Sequence, residues 1–235
     1  MLIFLVPLKN RACSNDWDTV SRFCRSAIAS MLANSQSHVV LICRDEPDGI
    51  EKSNNLTIHA IDAPTPTTPQ EMMVDKYRKL AAGLELARSY APCWLMRADA
   101  DDLISNRIHP YIEGNPGPRA WYAETGWIHR SGPWLEKRRN FHKFCGTSCL
   151  TYVTPDELSE ESYLLSQGHN IIVDYLKLRT NTRALPFPAA IYRLETGENW
   201  SGGGYKVGIR EGAKRLWNSR PITQRLRNEF GLTNQ

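Results

Sequence analysis

The first hundred residues alternate short apolar runs with amphipathic stretches, and few folds accommodate that pattern. Residues 2–8 are nearly all apolar, as are 39–43, 56–61 carries a third run, and 93–96 a fourth. The second run, Val39-Val40-Leu41-Ile42-Cys43, is unbroken, as expected for a strand covered on both faces. Between the runs, Val20, Phe23, Cys24, Ala27 and Met31 recur at helical spacing behind Ser14, Asn15 and Asp16, which can cap a helix start. Residues 70–90 place Met73, Tyr77, Leu80, Leu84 and Ala87 on one helical face, after a proline-rich loop over 63–69. Strand-helix alternation of this kind predicts β-α-β units and a mostly parallel central sheet flanked by helices, an α/β fold.

The second half differs in character. Residues 121–128, 147–153 and 189–194 read as strands and 170–179 as a helix, a mixed α+β arrangement leaning on the same sheet. With 235 residues, 41% hydrophobic and 23% charged, the chain is sized for one domain with a full core. We expect a first half over 1–105, a second over 106–201, and a glycine hinge with a basic tail over 202–235. No positively charged region precedes the apolar run at 2–8, so it reads as a buried strand rather than a signal sequence. No stretch approaches the roughly 20 apolar residues of a spanning helix. The expectation is a soluble, cytoplasmic protein. Its six cysteines, scattered in apolar contexts, are expected to be reduced thiols.

The formal charge of +4 admits an anionic partner but is ordinary for enzymes that never touch nucleic acid, and no nucleic-acid partner is expected. The positive charge gathers late: Lys206, Arg210, Lys214, Arg215, Arg220, Arg225 and Arg227. Such a tail suits a donor diphosphate or peripheral contact with the inner face of a membrane.

The chemistry concentrates at Asp99-Ala100-Asp101-Asp102, directly after the fourth apolar run. Three carboxylates within four residues repel one another unless a cation or basic group sits among them. In open α/β sheets ligands bind outside the carboxyl ends of the strands, where this cluster falls. Mg²⁺ or Mn²⁺ with substrate phosphates would suit it, since Mg²⁺ typically takes one or two carboxylates rather than a full protein cage. An acidic turn capping a helix is the plainer alternative. Lys76, Lys79 and Gly83 share a helical face apart from the apolar stripe, which reads as a solvated basic face with an Asp75–Lys79 ion pair.

Met96-Arg97-Ala98-Asp99-Ala100-Asp101-Asp102-Leu103 resembles the strand and D-x-D motif of GT-A glycosyltransferases of the family-2-like kind, and Leu5-Val6-Pro7-Leu8-Lys9-Asn10 resembles their opening segment. The resemblance covers residues 1–105 and patches beyond. It implies a GT-A, Rossmann-like fold with an acceptor half, and transfer of a hexosyl group from a UDP- or GDP-sugar to a glycan or lipid-linked acceptor in polysaccharide synthesis. It also implies that Pro7, Leu8, Asn10 and Asp45 or Glu46 contact the nucleoside, that Lys76 meets the diphosphate, and that Asp99, Asp101 and Asp102 hold the metal. Tyr192-Arg193-Leu194-Glu195-Thr196-Gly197-Glu198-Asn199 resembles that family's Tyr-Arg-x-His segment, with Glu195 in place of the metal-binding His and Asn199 beside the donor.

Where the family carries a Glu-Asp base, this chain has Gly168-His169-Asn170. His169, with an ordinary pKa of about 6.5, is the substitute base for an inverting transfer, and Asp174 is the second candidate. Glu124 to Trp127 and Cys145 to Ser148 are placed on the acceptor side, with Trp127, Trp134 and Trp200 as stacking faces. Gly202-Gly203-Gly204 suggests the hinge of a lid. Two further functions stay open. A sugar-nucleotide nucleotidyltransferase shares the metal–diphosphate logic but would want a glycine-rich loop where Leu8 to Cys13 stands. A non-catalytic nucleotide- or glycan-binding module is the other.

Overall fold

The computed structural model describes residues 1–194, 196–198 and 218–232. The parallel core forms as its sequence directs. β1 (Leu2–Pro7), β2 (Ser37–Cys43) and β3 (Leu56–Ala60) run side by side and parallel, and β4 (Cys93–Arg97) pairs in parallel with the other flank of β1. Between them lie α1 (Trp17–Leu32) and α2 (Pro69–Ala87). The Asp16 side chain accepts the N–H groups of Asp18 and Thr19 to start α1. Thr68 and Glu71 form a reciprocal capping box at α2, where Pro69 occupies the first turn.

Alternation along β1 decides which helix covers which face. Leu2, Phe4 and Val6 join the cluster holding Val20, Cys24, Ala27 and Met31 of α1, whereas Ile3 and Leu5 join Leu80, Leu84 and Ala87 of α2. A sheet covered on both faces explains why these strands read as unbroken apolar runs. Gly83 lets α2 approach closely, since a Cβ there would lie 2.6 Å from Ile42 Cδ1.

Past β4 the chain makes β5 (Leu103–Ile104), α3 (Ile108–Gly114), β6 (Ala120–Ala123), β7 (Thr125–His129), β8 (Trp134–Arg139) and β9 (Cys149–Val153). Then follow α4 (Leu158–Ser166), α5 (His169–Arg179), β10 (Thr182–Leu185), β11 (Ala190–Arg193), β12 (Ser219–Pro221) and α6 (Gln224–Phe230). The central sheet has the order β10-β6-β9-β4-β1-β2-β3, in which β9 alone runs antiparallel to its neighbours. A second sheet has the order β12-β8-β7-β11-β5. The result is an α/β fold with a mostly parallel central sheet flanked by helices, as expected.

The stretch 121–128 differs from its expectation. It divides at Glu124: β6 lies in the central sheet, β7 in the second, and the chain crosses from one to the other between them. Gly126 makes that crossing close, because any Cβ there would run into the Phe141 ring. Trp127, expected as a stacking face, is 8% exposed in the cluster of Leu103, Leu135, Ile191 and Phe230 and is a core residue. All six cysteines are free thiols, and Cys145 is buried. Among the described residues no helix is long and apolar enough to cross a membrane. Glu195, Asn199, Trp200, the 202–204 glycines and Lys206, Arg210, Lys214 and Arg215 lie outside the described residues.

Candidate functional site

The carboxyl ends of β1, β2 and β4 meet at one edge, joined there by the residues that lead into antiparallel β9. At the centre is the turn after β4. Asp99 N–H donates to Thr147 Oγ1 at 2.8 Å, and Asp102 N–H donates to the Asp99 carbonyl at 3.2 Å, closing the turn before β5. Lys76 reaches over from α2, its Nζ 2.5 Å from Asp99 Oδ1, with about a third of each side chain exposed.

The three carboxylates have separate fates. Burial pushes the Asp99 pKa up, but the Lys76 ion pair and hydrogen bond, with the charges of Arg97 and His169, outweigh it and hold the group below its ordinary value. Burial and repulsion from Asp99 raise Asp101 to about 6. Burial, then repulsion from Asp101 and Asp99, raises Asp102 well above the ordinary carboxylate value. Asp102 is fully buried, its Oδ2 accepts the Cys145 thiol at 3.2 Å, and its Oδ1 has no hydrogen-bond partner. Expected among the metal ligands, Asp102 instead faces the interior, where the protonated acid is the cheaper form.

At the end of β1, Lys79 is the organising residue. It is 1% exposed and donates to the Leu8 carbonyl at 2.7 Å, to Asn10 Oδ1 at 2.6 Å and to Asp75 Oδ2 at 2.6 Å. The Asp75–Lys79 pair exists, but it is buried rather than on a solvated face. Leu8 and Asn10, expected at the nucleoside, are each 1% exposed, so their side chains serve the interior. Pro7 remains half-buried at the strand end, and Asp45 Oδ2 accepts the Arg11 N–H at 2.9 Å. Glu46 is exposed next to it.

Arg97 ties the opposite flank to the same edge. Its guanidinium donates to the carbonyls of Gln167 at 3.0 Å, Leu165 at 3.2 Å and Gly146 at 3.4 Å, fixing the α4–α5 connection. His169 opens α5 from that connection. Burial, then the positive charges of Arg97 and Lys76 working against Asp99, pushes its pKa down, so the ring is neutral at neutral pH. Asp174 sits on the same helix, 3.4 Å from Lys143, with both side chains more than half exposed; it is part of a surface ion pair. Arg193, 6% exposed, donates to Ser26 Oγ at 2.9 Å and lies close enough to Asp101 and Asp102 for their charges to act on it. Sequence reasoning missed both arginines. Their signal was an arginine within an apolar strand, Met96-Arg97-Ala98 and Ile191-Tyr192-Arg193-Leu194, since a buried guanidinium must find partners.

The donor set suits a hard cation only in combination with a ligand's own oxygens. Among the described residues no group of three or more His, Cys, Asp or Glu could hold a metal ion by itself. Asp99 and Asp101 remain, two carboxylates, which is the number Mg²⁺ commonly takes when phosphates complete its shell. Gly146 keeps a cradle open beside them, because a Cβ at that position would sit 3.3 Å from Asp99 Oδ2.

No protein-family model matches the chain, and no curated protein matches it either. Solved structures do. A nucleotidyl transferase from Methanothermobacter thermautotroptrophicus aligns with TM-score 0.46 at 11% identity, over 92% of this chain and 95% of that one. The 2-C-methyl-D-erythritol 4-phosphate cytidylyltransferase of Francisella tularensis aligns with TM-score 0.45 at 6% identity, over 92% and 99%. The bifunctional IspDF of Campylobacter jejuni aligns with TM-score 0.41 at 12% identity, over 78% of this chain; the chain spans only 48% of that protein. Likeness at this level concerns the fold alone. These neighbours are nucleotidyl- and cytidylyltransferases, not glycosyltransferases. The expected likeness to family-2-like glycosyltransferases has no counterpart among them, and that reading is not carried further, nor are the hexosyl transfer, the polysaccharide setting and the glycan or lipid-linked acceptor that came with it.

Proposed function

We propose that the chain binds a nucleoside triphosphate at the carboxyl edge of its central sheet and transfers the nucleotidyl group to a phosphate-bearing acceptor. The observation that carries this reading is the juxtaposition, at that edge, of the Lys76 ammonium and the Asp99 carboxylate 2.5 Å apart, with Asp101 raised to about 6 beside them. Ammonium groups attract polyphosphate oxygens, and crowded carboxylates attract the cation that accompanies them.

In the proposed reaction an acceptor phosphate oxygen attacks the α-phosphorus, a new pyrophosphate bond forms, and the α–β bond breaks to release inorganic pyrophosphate. Asp99 and Asp101 would hold Mg²⁺ or Mn²⁺, which when bound supplies neutralisation of charge on the phosphates. Lys76 stands where it can exchange Asp99 for a phosphate oxygen and stabilise the leaving pyrophosphate. Lys79 orients the end of β1 through Leu8 and Asn10. An acceptor phosphate is already an anion near neutral pH, since its second pKa is about 6, so the attack needs no general base. That accords with Gly168-His169-Asn170 standing where a Glu-Asp base was sought. His169, a neutral ring, is left to donate or accept a hydrogen bond at the acceptor.

Two features favour a second reading, a nucleotide-binding module without turnover: Lys76 already engages Asp99, and the loop after β1 has no glycine. A panel of ATP, CTP, GTP and UTP with sugar and polyol phosphates in Mg²⁺ or Mn²⁺ separates the two. Pyrophosphate release dependent on acceptor and cation supports transfer. Cation-dependent nucleotide binding with no pyrophosphate supports the module, and no nucleotide binding at all rejects both.

A further inference from the structure

We propose that Lys9 and the backbone N–H groups of Asn15 and Asp16 form a phosphate subsite beside the candidate site, and that Glu198 is a built-in competitor whose carboxylate holds that subsite closed. The proposal rests on the nucleoside-phosphate reading for its location and supplies that reading with a regulatory contact. Glu198 Oε1 accepts the Asn15 N–H at 2.9 Å and the Asp16 N–H at 2.7 Å. Its Oε2 accepts the Lys9 ammonium at 2.7 Å and the Asn15 N–H again at 3.2 Å. The main chain of the same turn strengthens the contact: Lys9 Nζ also donates to the Glu198 carbonyl at 2.8 Å, and Asn15 Nδ2 donates to the Gly197 carbonyl at 2.7 Å.

Two successive N–H groups converging on one oxygen, with an ammonium on the other, make an anion cradle of the kind that accepts phosphate oxygens. The cradle lies at the entry to α1, whose N-cap is Asp16, but does not use the helix's first-turn donors. The first-turn N–H groups of Asp18 and Thr19 are taken by the Asp16 side chain, at 3.1 and 3.2 Å, so the donors here are the N–H groups of the cap residue and of Asn15 before it, at the end of the loop after β1, joined by the Lys9 ammonium from that loop. That loop leaves the carboxyl end of β1, where Lys79 fixes Leu8 and Asn10, on the edge that carries Asp99. Glu198 arrives from 189 residues away in sequence and its side chain is only 7% exposed, so the fold buries a carboxylate where a phosphate would be equally well received. A phosphate must displace Glu198 to enter.

Titration calorimetry with inorganic pyrophosphate, without divalent cation, tests the proposal on the wild-type chain, Glu198→Ala, Glu198→Gln and the Glu198→Ala/Lys9→Met double variant. Both Glu198 variants should bind pyrophosphate at least about tenfold tighter than wild type, and adding Lys9→Met should abolish the gain. Unchanged or weaker binding by the Glu198 variants overturns the proposal, as does a gain that survives Lys9→Met. Thermal melts run alongside; if Glu198→Ala does not fold, Glu198→Gln, which keeps an acceptor for both N–H groups, carries the comparison. Failure of the nucleotide reading would appear separately, as absence of cation-dependent nucleotide binding in every one of these proteins.

Discussion

Lys79 and Lys76 lie three residues apart on one helix, yet their surroundings give them opposite duties. Lys79 is buried with Asp75, Asn10 and the Leu8 carbonyl around its ammonium, so its replacement strands a buried carboxylate. Removing one partner of such a pair typically costs about 3–5 kcal/mol, whereas replacing both by apolar groups is often neutral. Lys79→Met should therefore destabilise the chain by that order, and Asp75→Leu/Lys79→Met should recover most of the loss in urea unfolding; a double variant no more stable than the single would remove the buried-pair account. Lys76 is a third exposed, and its partner Asp99 keeps Arg97 and His169 nearby. Lys76→Met should leave stability within about 1 kcal/mol, as exposed pairs usually do, while weakening nucleotide affinity at least tenfold in calorimetry. At this scale sequence reading singled out Asp99 and Asp101, because charge at a strand end is conspicuous, and took Lys76 on α2 only from the glycosyltransferase resemblance. It could not find the burial of Lys79, since helical spacing assigns a residue to a face without saying what packs on that face. The Lys9–Glu198 contact was equally hidden, because only the folded chain brings such distant positions together.

At the scale of elements, the β1–α1–β2 and α2–β4 units were legible because each obeyed a single period and carried its own cap. The failures share a cause too. β8, Trp-Leu-Glu-Lys-Arg-Arg, is a strand in which Lys137, Arg138 and Arg139 are exposed, and charge without apolar alternation does not read as a strand. The break at Glu124 went unseen because both sheets take apolar residues, so the pattern runs on across the crossing. Packing of α2 on β2 makes Gly83→Ala a direct test: with Ile42 Cδ1 only 2.6 Å from the new Cβ, overpacking should cost about 1–3 kcal/mol by denaturant unfolding, and an unchanged midpoint would deny the close approach. α4 supplies a pH-dependent element. Burial raises Glu161 to about 7, against the opposing charge of Arg97. A carboxyl with a raised folded pKa gives its full stability below the unfolded value, near 4.5, and loses it as pH rises through about 7. Wild-type stability should thus decline across that window by about 3 kcal/mol at most, and Glu161→Gln should flatten the decline in melts taken from pH 4 to pH 8. Parallel curves for the two proteins would contradict it.

For the whole molecule, one edge collects the carboxyl ends of three parallel strands, the lead into β9 and the Arg97-tied connection to α5. Lys76 on α2, Asp99 and Asp101 in the turn after β4 and His169 at the start of α5 come from three parts of the chain, so ligand binding should stabilise the complete fold rather than one segment of it. The α/β architecture itself was readable from alternation alone, whereas the reaction was not: a D-x-D at a strand end fits any chemistry that pairs a cation with a diphosphate. The most direct measurement is ³¹P NMR of the wild-type chain and Asp101→Asn with nucleoside triphosphates, Mg²⁺ and phosphorylated sugar or polyol acceptors. The account predicts inorganic pyrophosphate and a new pyrophosphate diester appearing together, only with acceptor and cation, and at least a hundredfold slower in Asp101→Asn. Release of inorganic phosphate without a diester, or equal rates in the two proteins, would contradict it.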